Sequence, residues 1–158
     1  MESRKQILLL VEDNENVNAA NRQLFERKGY AVQVARTIAE ARLYMAGDGQ
    51  VDMTLLDIDL PDGSGLSLLA ELNELTGGAP VLVLSGRKDA KALAMQHGAQ
   101  DYLSKPYRLD DLYRRVKALT KPDQTSVIKN HQTTGPVTPR ICAAGYSGYP
   151  SIDSKKGG

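Results

Sequence analysis

Five side chains that can do chemistry follow short apolar segments of this chain. They are Glu12, Asp13, Asp57, Ser85 and Lys105. A carboxylate at the end of a buried strand is costly unless something there needs it. The isolated Asp57, after the apolar run 51–56, is therefore the most informative of the five. Acids, a hydroxyl and an amine in equivalent positions predict one assembled site.

The elements that must position these side chains alternate along the chain. Strands are predicted at residues 7–11, 30–35, 51–56, 81–84 and 101–103. Helices are predicted at residues 15–28, 38–46, 65–75, 88–97 and 109–119, the first with Val17, Ala20 and Leu24 facing inward. Five strand–helix units predict a parallel sheet covered by helices on both faces. Ligands of such sheets bind at the carboxyl ends of the strands, where all five side chains fall.

Composition limits the class of protein. With 158 residues, 41% of them apolar and 25% charged, the chain fits one domain at residues 1–121 and an appendage. A net charge of +1 gives no electrostatic reason for this chain to contact DNA. The single Cys142 excludes an internal disulfide, and the apolar stretch 7–11 is too short for a signal peptide or a membrane span. We therefore expect a cytoplasmic protein with no membrane contact.

Residues 122–158 show no sustained helical or strand period. They contain five Gly and four Pro, a composition typical of flexible segments. We predict a flexible tail or linker with no recognisable output domain.

The five side chains suit phosphoryl chemistry. Three neighbouring carboxylates repel one another unless a cation lies between them. All-oxygen ligation suits Mg²⁺, which binds one or two carboxylates together with phosphate oxygens. A nearby lysine neutralises more of the charge, and a serine hydroxyl can hold a phosphoryl oxygen. Asp57 is then a candidate nucleophile toward phosphorus, forming an acyl phosphate.

Four motifs, at residues 11–14, 55–65, 84–86 and 98–106, resemble the receiver domain of two-component response regulators. The resemblance extends over about residues 5–120. It implies a flavodoxin-like α/β fold, a doubly wound five-stranded parallel sheet with strand order 2-1-3-4-5 between two helical layers. It also implies that Asp57 accepts a phosphoryl group from a sensor histidine kinase or a histidine phosphotransfer protein.

The same resemblance implies a role for each site residue. Mg²⁺ would be held by Glu12, Asp13, Asp57 and the backbone carbonyl of Asp59. Ser85 and Lys105 would contact the phosphoryl group, with a cis peptide bond joining Lys105 to Pro106. Ser85 and Tyr102 would form a switch that changes the surface of the fourth helix, fifth strand and fifth helix for a downstream protein. The domain would be a monomer or a weak phosphorylation-dependent dimer, with no catalysis beyond its own phosphorylation and autodephosphorylation.

The residues leave alternatives open. Asp57 and Asp59 also resemble the nucleophile motif of haloacid-dehalogenase-like phosphatases, which use Mg²⁺, a later Ser or Thr and a Lys. That family carries its nucleophile on the first strand, whereas Glu12 and Asp13 precede Asp57 by a complete βαβα stretch. A flavin- or nucleotide-binding module is disfavoured because residues 11–14 would repel a phosphate. Glu12 and Asp13 could also simply cap the first helix.

Two further features concern the rim of the site. Lys105 lies 20 positions after Ser85, about half a helical turn fewer than is usual in the family. The fourth helix should therefore be short, which argues against dimerisation through its surface. Asp59 and Arg87 lie two positions beyond the phosphoacceptor and the hydroxyl. We expect them to pair across the mouth of the site and slow the loss of phosphate.

Overall fold

The computed structural model describes residues 3–120, in which the strands of one sheet alternate with five helices. The strands are β1 (Ile7–Val11), β2 (Ala31–Ala35), β3 (Met53–Asp57), β4 (Val81–Ser85) and β5 (Asp101–Ser104). The helices are α1 (Glu15–Arg27), α2 (Ile38–Ala46), α3 (Leu66–Leu75), α4 (Ala90–Gln96) and α5 (Leu109–Leu119). All strand pairs of this sheet are parallel, in the order β2-β1-β3-β4-β5. The predicted flavodoxin-like topology is confirmed, while the predicted tail at residues 122–158 lies outside the described residues.

Two apolar clusters cover the two faces of the sheet. Successive side chains of a strand point to opposite faces, so β1 contributes to both clusters. Leu8 and Leu10 pack with residues of α1 and α5, whereas Leu9 and Val11 pack with residues of α2, α3 and α4. Burial on both faces explains why β1 is a continuous apolar run rather than an alternating one.

The register of the strands aligns their carboxyl ends. Val11 of β1 pairs with Leu56 of β3, so the residues that follow β1 lie beside Asp57. Asp57 in turn pairs with Leu84, and Ser85 ends the same strand. The side chains at one edge of the sheet therefore come from four different segments of the chain.

The inward face of α1 differs from the prediction. Its buried residues are Asn18, Asn21, Leu24 and Phe25, whereas Val17 is only half-buried and Ala20 is exposed. Two polar residues replace two apolar ones because each finds a hydrogen-bond acceptor outside the helix. Asn18 Nδ2 donates to the carbonyl of Glu12 at 2.6 Å, and Asn21 Nδ2 donates to Tyr107 Oη at 3.0 Å.

Element boundaries near the site also differ from the prediction. Asp57 and Ser85 are the last residues of β3 and β4 rather than the first residues after them. Helix α4 spans seven residues, Ala90–Gln96, and is shorter than the predicted segment 88–97. A hairpin of two-residue strands, Asp59–Leu60 and Gly63–Ser64, follows β3. The sequence prediction missed this hairpin because strands of two residues carry no periodic signal.

Candidate functional site

Three carboxylates meet where the central strands end. Glu12 and Asp13 follow β1, Asp57 ends β3, and one oxygen of each carboxylate lies within 4.8 Å of the others. Glu12 and Asp57 are almost fully buried, with 4% and 6% of their surfaces exposed, whereas Asp13 is exposed. Buried carboxylates this close need a compensating cation. Their all-oxygen chemistry and their spacing fit a hard divalent ion such as Mg²⁺.

Lys105 supplies part of the compensating charge. It follows β5 directly, and its Nζ lies 2.7 Å from Glu12 Oε2 and 3.1 Å from Asp57 Oδ2. Burial alone would lower the pKa of Lys105, but the hydrogen bond with Glu12 and the charge of Asp57 raise it above its ordinary value. The amine is therefore charged at neutral pH. The peptide bond between Lys105 and Pro106 is cis, as the resemblance implied.

Glu12 is held by the turn that follows it, and the N-cap of α1 is Asn14 rather than either acid. Asn14 is the N-cap of α1, and its side chain accepts from the amides of Asn16 and Val17. Glu12 Oε1 instead accepts from the Asn14 amide at 3.0 Å. Burial raises the pKa of Glu12, and the hydrogen bond with Lys105 opposes that shift. A bound cation would offset this effect of burial, because a nearby positive charge favours the ionised carboxylate.

Asp59 lies beside the phosphoacceptor candidate, at the start of the hairpin that follows β3. Its backbone amide donates to Asp57 Oδ1 at 3.2 Å, and its side chain points into solvent. The amide contact fixes one oxygen of Asp57 and leaves the other facing Lys105. The Asp59 carboxylate reaches across the mouth of the site, where its Oδ1 lies 3.8 Å from Arg87 Nη1. Arg87 also lies 3.5 Å from Asp89.

Ser85 and Tyr102 are joined through the same stretch of backbone. Ser85 is fully buried, and its Oγ accepts from the Arg87 amide at 3.1 Å, which leaves its O–H as a donor. The Tyr102 hydroxyl donates to the Arg87 carbonyl at 2.8 Å and lies 3.3 Å from the Ser85 carbonyl. The Tyr102 ring packs against the cluster under α2, α3 and α4, so this aromatic side chain points inward.

The sequence prediction missed two residues that shape the site. A Cβ at Gly65 would overlap the carbonyl oxygen of Asp57 and would lie 3.2 Å from Ile58 Cα. The other is Asn18, which holds the carbonyl of Glu12 from inside α1. Polar residues on the buried face of an otherwise amphipathic helix are the signal that could have identified Asn18. For Gly65 the signal was its place in the turn sequence after Asp57.

Comparison with known proteins identifies the family of this chain. A model of the response regulator receiver domain matches residues 8–117. The transcriptional regulatory protein PmrA of Pectobacterium parmentieri is 36% identical over 121 residues, which cover 75% of this chain and 54% of that protein. The chain belongs to the response regulator receiver family. The KDP operon transcriptional regulatory protein KdpE of Escherichia coli is 34% identical over 125 residues, which cover 73% of this chain and 55% of KdpE.

A solved receiver-type structure agrees with this assignment. A putative response regulator from Chloroflexus aurantiacus superposes with a TM-score of 0.69 at 30% identity, covering 74% of this chain and 98% of that one. The chain spans about half the length of the curated relatives it matches. Within residues 3–120, no helix has the length and apolar character that a membrane span needs.

The haloacid-dehalogenase-like alternative is not supported by these matches. The topology gives a physical reason as well, because Asp57 ends the third strand in chain order and an acid pair from the first strand lies beside it. Residues 8–117 therefore form a response regulator receiver domain.

Proposed function

We propose that the receiver domain, residues 1–121, takes a phosphoryl group onto Asp57 from the phosphohistidine of a sensor kinase or a histidine phosphotransfer protein. An Asp57 carboxylate oxygen would form a bond to phosphorus while the phosphorus–nitrogen bond of the donor breaks. The electron pair of that bond would leave with the imidazole, and Asp57 would become an acyl phosphate. The burial of Asp57 beside a charged amine supports this role, because a desolvated carboxylate held in one orientation is a positioned nucleophile.

The neighbouring residues have distinct roles in this proposal. Glu12, Asp13, Asp57 and the backbone carbonyl of Asp59 would hold Mg²⁺. When bound, Mg²⁺ would supply positive charge against the phosphoryl oxygens. Lys105 would contact a phosphoryl oxygen, and it is already within hydrogen-bond distance of Asp57. The Ser85 hydroxyl would donate to another oxygen. The only catalysis we propose is self-phosphorylation and autodephosphorylation.

The output of the domain would pass through the surface formed by α4, β5 and α5. Tyr102 lies on β5, and its hydroxyl reaches the loop that carries Ser85 and Arg87. On the same surface, Arg115 Nη1 lies 2.8 Å from both carboxylate oxygens of Asp101 within one chain. We propose that a downstream protein reads this surface and that the domain is a monomer or a weak phosphorylation-dependent dimer. The short α4 limits the area available to such a dimer.

The remaining parts of the proposal concern the rest of the protein. We propose that the protein works in the cytoplasm and that this chain itself makes no contact with DNA. The two relatives named above are transcriptional regulatory proteins, and this chain covers 54% and 55% of their lengths.

The observation that carries the proposal is the Lys105 ammonium between Glu12 and Asp57 at the strand ends. The test is incubation with acetyl phosphate, with and without Mg²⁺, followed by intact-mass measurement. We expect one Mg²⁺-dependent phosphoryl group per chain in the wild type and none in Asp57→Asn. Asp48→Asn is the matched control, because it neutralises an exposed acid outside the site and should still be phosphorylated. Phosphorylation of Asp57→Asn would overturn the proposal, as would many-fold turnover of p-nitrophenyl phosphate.

A further inference from the structure

The hairpin that begins at Asp59 is hydrogen-bonded to α2, an element that is not adjacent to it in the sequence. At the hairpin turn, Asp62 Oδ1 accepts from the amide of Ile38 at 2.9 Å, and Asp62 Oδ2 accepts from the amide of Ala39 at 3.0 Å. These are the first two amides of α2, which have no acceptor within their own helix. One carboxylate from another segment therefore satisfies both of them.

The hydrogen bonds of Asp62 stabilise the hairpin more than they stabilise α2. The helix already has its own N-cap, because Thr37 Oγ1 accepts from the Glu40 amide at 3.0 Å. The hairpin has only two residues in each strand, Asp59–Leu60 and Gly63–Ser64, and an isolated hairpin is at best marginally stable in water. Charge-assisted hydrogen bonds to a helix N-terminus are among the stronger polar contacts. They place the hairpin turn against α2.

The hairpin also carries a group that the proposed metal site uses. Asp59 begins the hairpin, its amide holds one oxygen of Asp57 at 3.2 Å, and its carbonyl belongs to the proposed metal ligands. Asp59 pairs with Ser64 across the hairpin, so a shift of the turn at Asp62 is transmitted to Asp59 through this pairing.

We propose that Asp62 is a positioning residue for the metal site, holding the hairpin against the N-terminus of α2 so that the Asp59 carbonyl stays in place. This inference rests on the proposed Mg²⁺ site. It adds a residue that touches neither the phosphoacceptor nor the metal, and it links the affinity for Mg²⁺ to the position of α2. The Asp62 carboxylate carries full charge at neutral pH, because the Ile38 amide lowers its pKa from the ordinary value.

The test compares two variants that each remove a contact from the same helix end. Asp62→Ala removes the bonds to Ile38 and Ala39, whereas Thr37→Ala removes the cap on Glu40 and leaves the hairpin untouched. Mg²⁺ affinity is measured by calorimetric titration, and stability by urea unfolding without Mg²⁺. We expect both variants to lose stability. Only Asp62→Ala should bind Mg²⁺ more weakly, by about tenfold, as is usual when a supporting residue of a metal site is removed.

The possible outcomes distinguish the positioning role of Asp62 from the proposed Mg²⁺ site on which it rests. Equal Mg²⁺ affinities for Asp62→Ala and Thr37→Ala, with normal wild-type binding, would overturn the positioning role and leave the metal site standing. The metal site itself would be overturned if the wild-type protein bound no Mg²⁺. It would also be overturned if Asp57→Asn left the binding of Mg²⁺ intact. Asp62→Asn keeps one acceptor oxygen and should bind with intermediate affinity. If Asp62→Ala does not fold, the comparison of Asp62→Asn with Thr37→Ala decides the question in the same way.

Discussion

Gly65 is the position where a single methyl group should test the geometry of the site. The residue has φ −60° and ψ −20°, an ordinary right-handed conformation that alanine adopts freely. Its amide donates to the Ile58 carbonyl at 2.7 Å, so the backbone passes directly over the end of β3. The difficulty with a side chain here is space alone, because its Cβ would overlap the Asp57 carbonyl oxygen.

Two opposing contributions set the expected change in the free energy of unfolding for Gly65→Ala. Replacing glycine by alanine at a compatible conformation stabilises a protein by about 0.4–1 kcal/mol through the unfolded chain. Overpacking a filled interior costs about 1–3 kcal/mol, and the upper part of that range applies because the obstructing atom is main chain and has no rotamer to change. We therefore expect Gly65→Ala to lower the free energy of unfolding by about 2 kcal/mol.

The assay is urea unfolding followed by circular dichroism, with Gly86→Ala as the control. Gly86 follows Ser85, and a Cβ there meets only Lys105 Cβ at 4.0 Å, an ordinary contact. We expect Gly86→Ala to remain within about 0.5 kcal/mol of the wild type. If the two variants unfold at the same urea concentration, the close approach of Gly65 to Asp57 is not a constraint on the fold and the reasoning is wrong.

Two further predictions concern charged pairs. Arg87→Ala should shorten the lifetime of phosphorylated Asp57, because it removes the exposed pair with Asp59 at the mouth of the site. The change should be up to about fivefold, for a contact worth up to about 1 kcal/mol. An unchanged phosphoryl half-life would show that this pair does not slow the loss of phosphate. The hydrogen bond from Arg4 lowers the pKa of Asp52, and the hydrogen bond from the Ile7 amide adds to this shift. The ionised Asp52 therefore stabilises the folded protein above its unfolded-state pKa, and this stabilisation is lost as the pH falls through its folded-state pKa. Asp52→Asn should therefore lower the free energy of unfolding by about 1 kcal/mol at neutral pH, and its difference from the wild type should shrink as the pH falls below the unfolded-state pKa of Asp52. A pH-independent difference in urea unfolding would contradict this.

The strands and the edge that carries the site were predictable because their signals are local. A central parallel strand is buried on both faces, so β1 and β4 appear as unbroken apolar runs. The carboxyl ends of parallel strands lie at one edge of the sheet whatever the details of packing. The positions of Asp57 and Lys105 at that edge followed from the alternation of elements alone.

The missed features depend on partners that are distant in sequence. Apolar periodicity selected Val17 and Ala20 for the inward face of α1, yet Asn18 and Asn21 are buried there. Their acceptors, the Glu12 carbonyl and the Tyr107 hydroxyl, lie on other segments, so the pattern within α1 could mark the two asparagines as unusual but could not show what they contact. Asp62 is similar. It lies in the turn of the hairpin, and its bonds to α2 appear only once the hairpin and the helix are placed together.

The backbone of Arg87 offers a physical link between the proposed phosphorylation site and the proposed output surface. Its amide donates to Ser85 Oγ, and its carbonyl accepts from the Tyr102 hydroxyl. A movement of the Ser85 hydroxyl would therefore change its hydrogen bond with the Arg87 amide, and through Arg87 it would act on Tyr102. If the proposed switch exists, phosphorylation of Asp57 would act on Tyr102 through this stretch of backbone, and the two residues that it joins lie on β4 and β5.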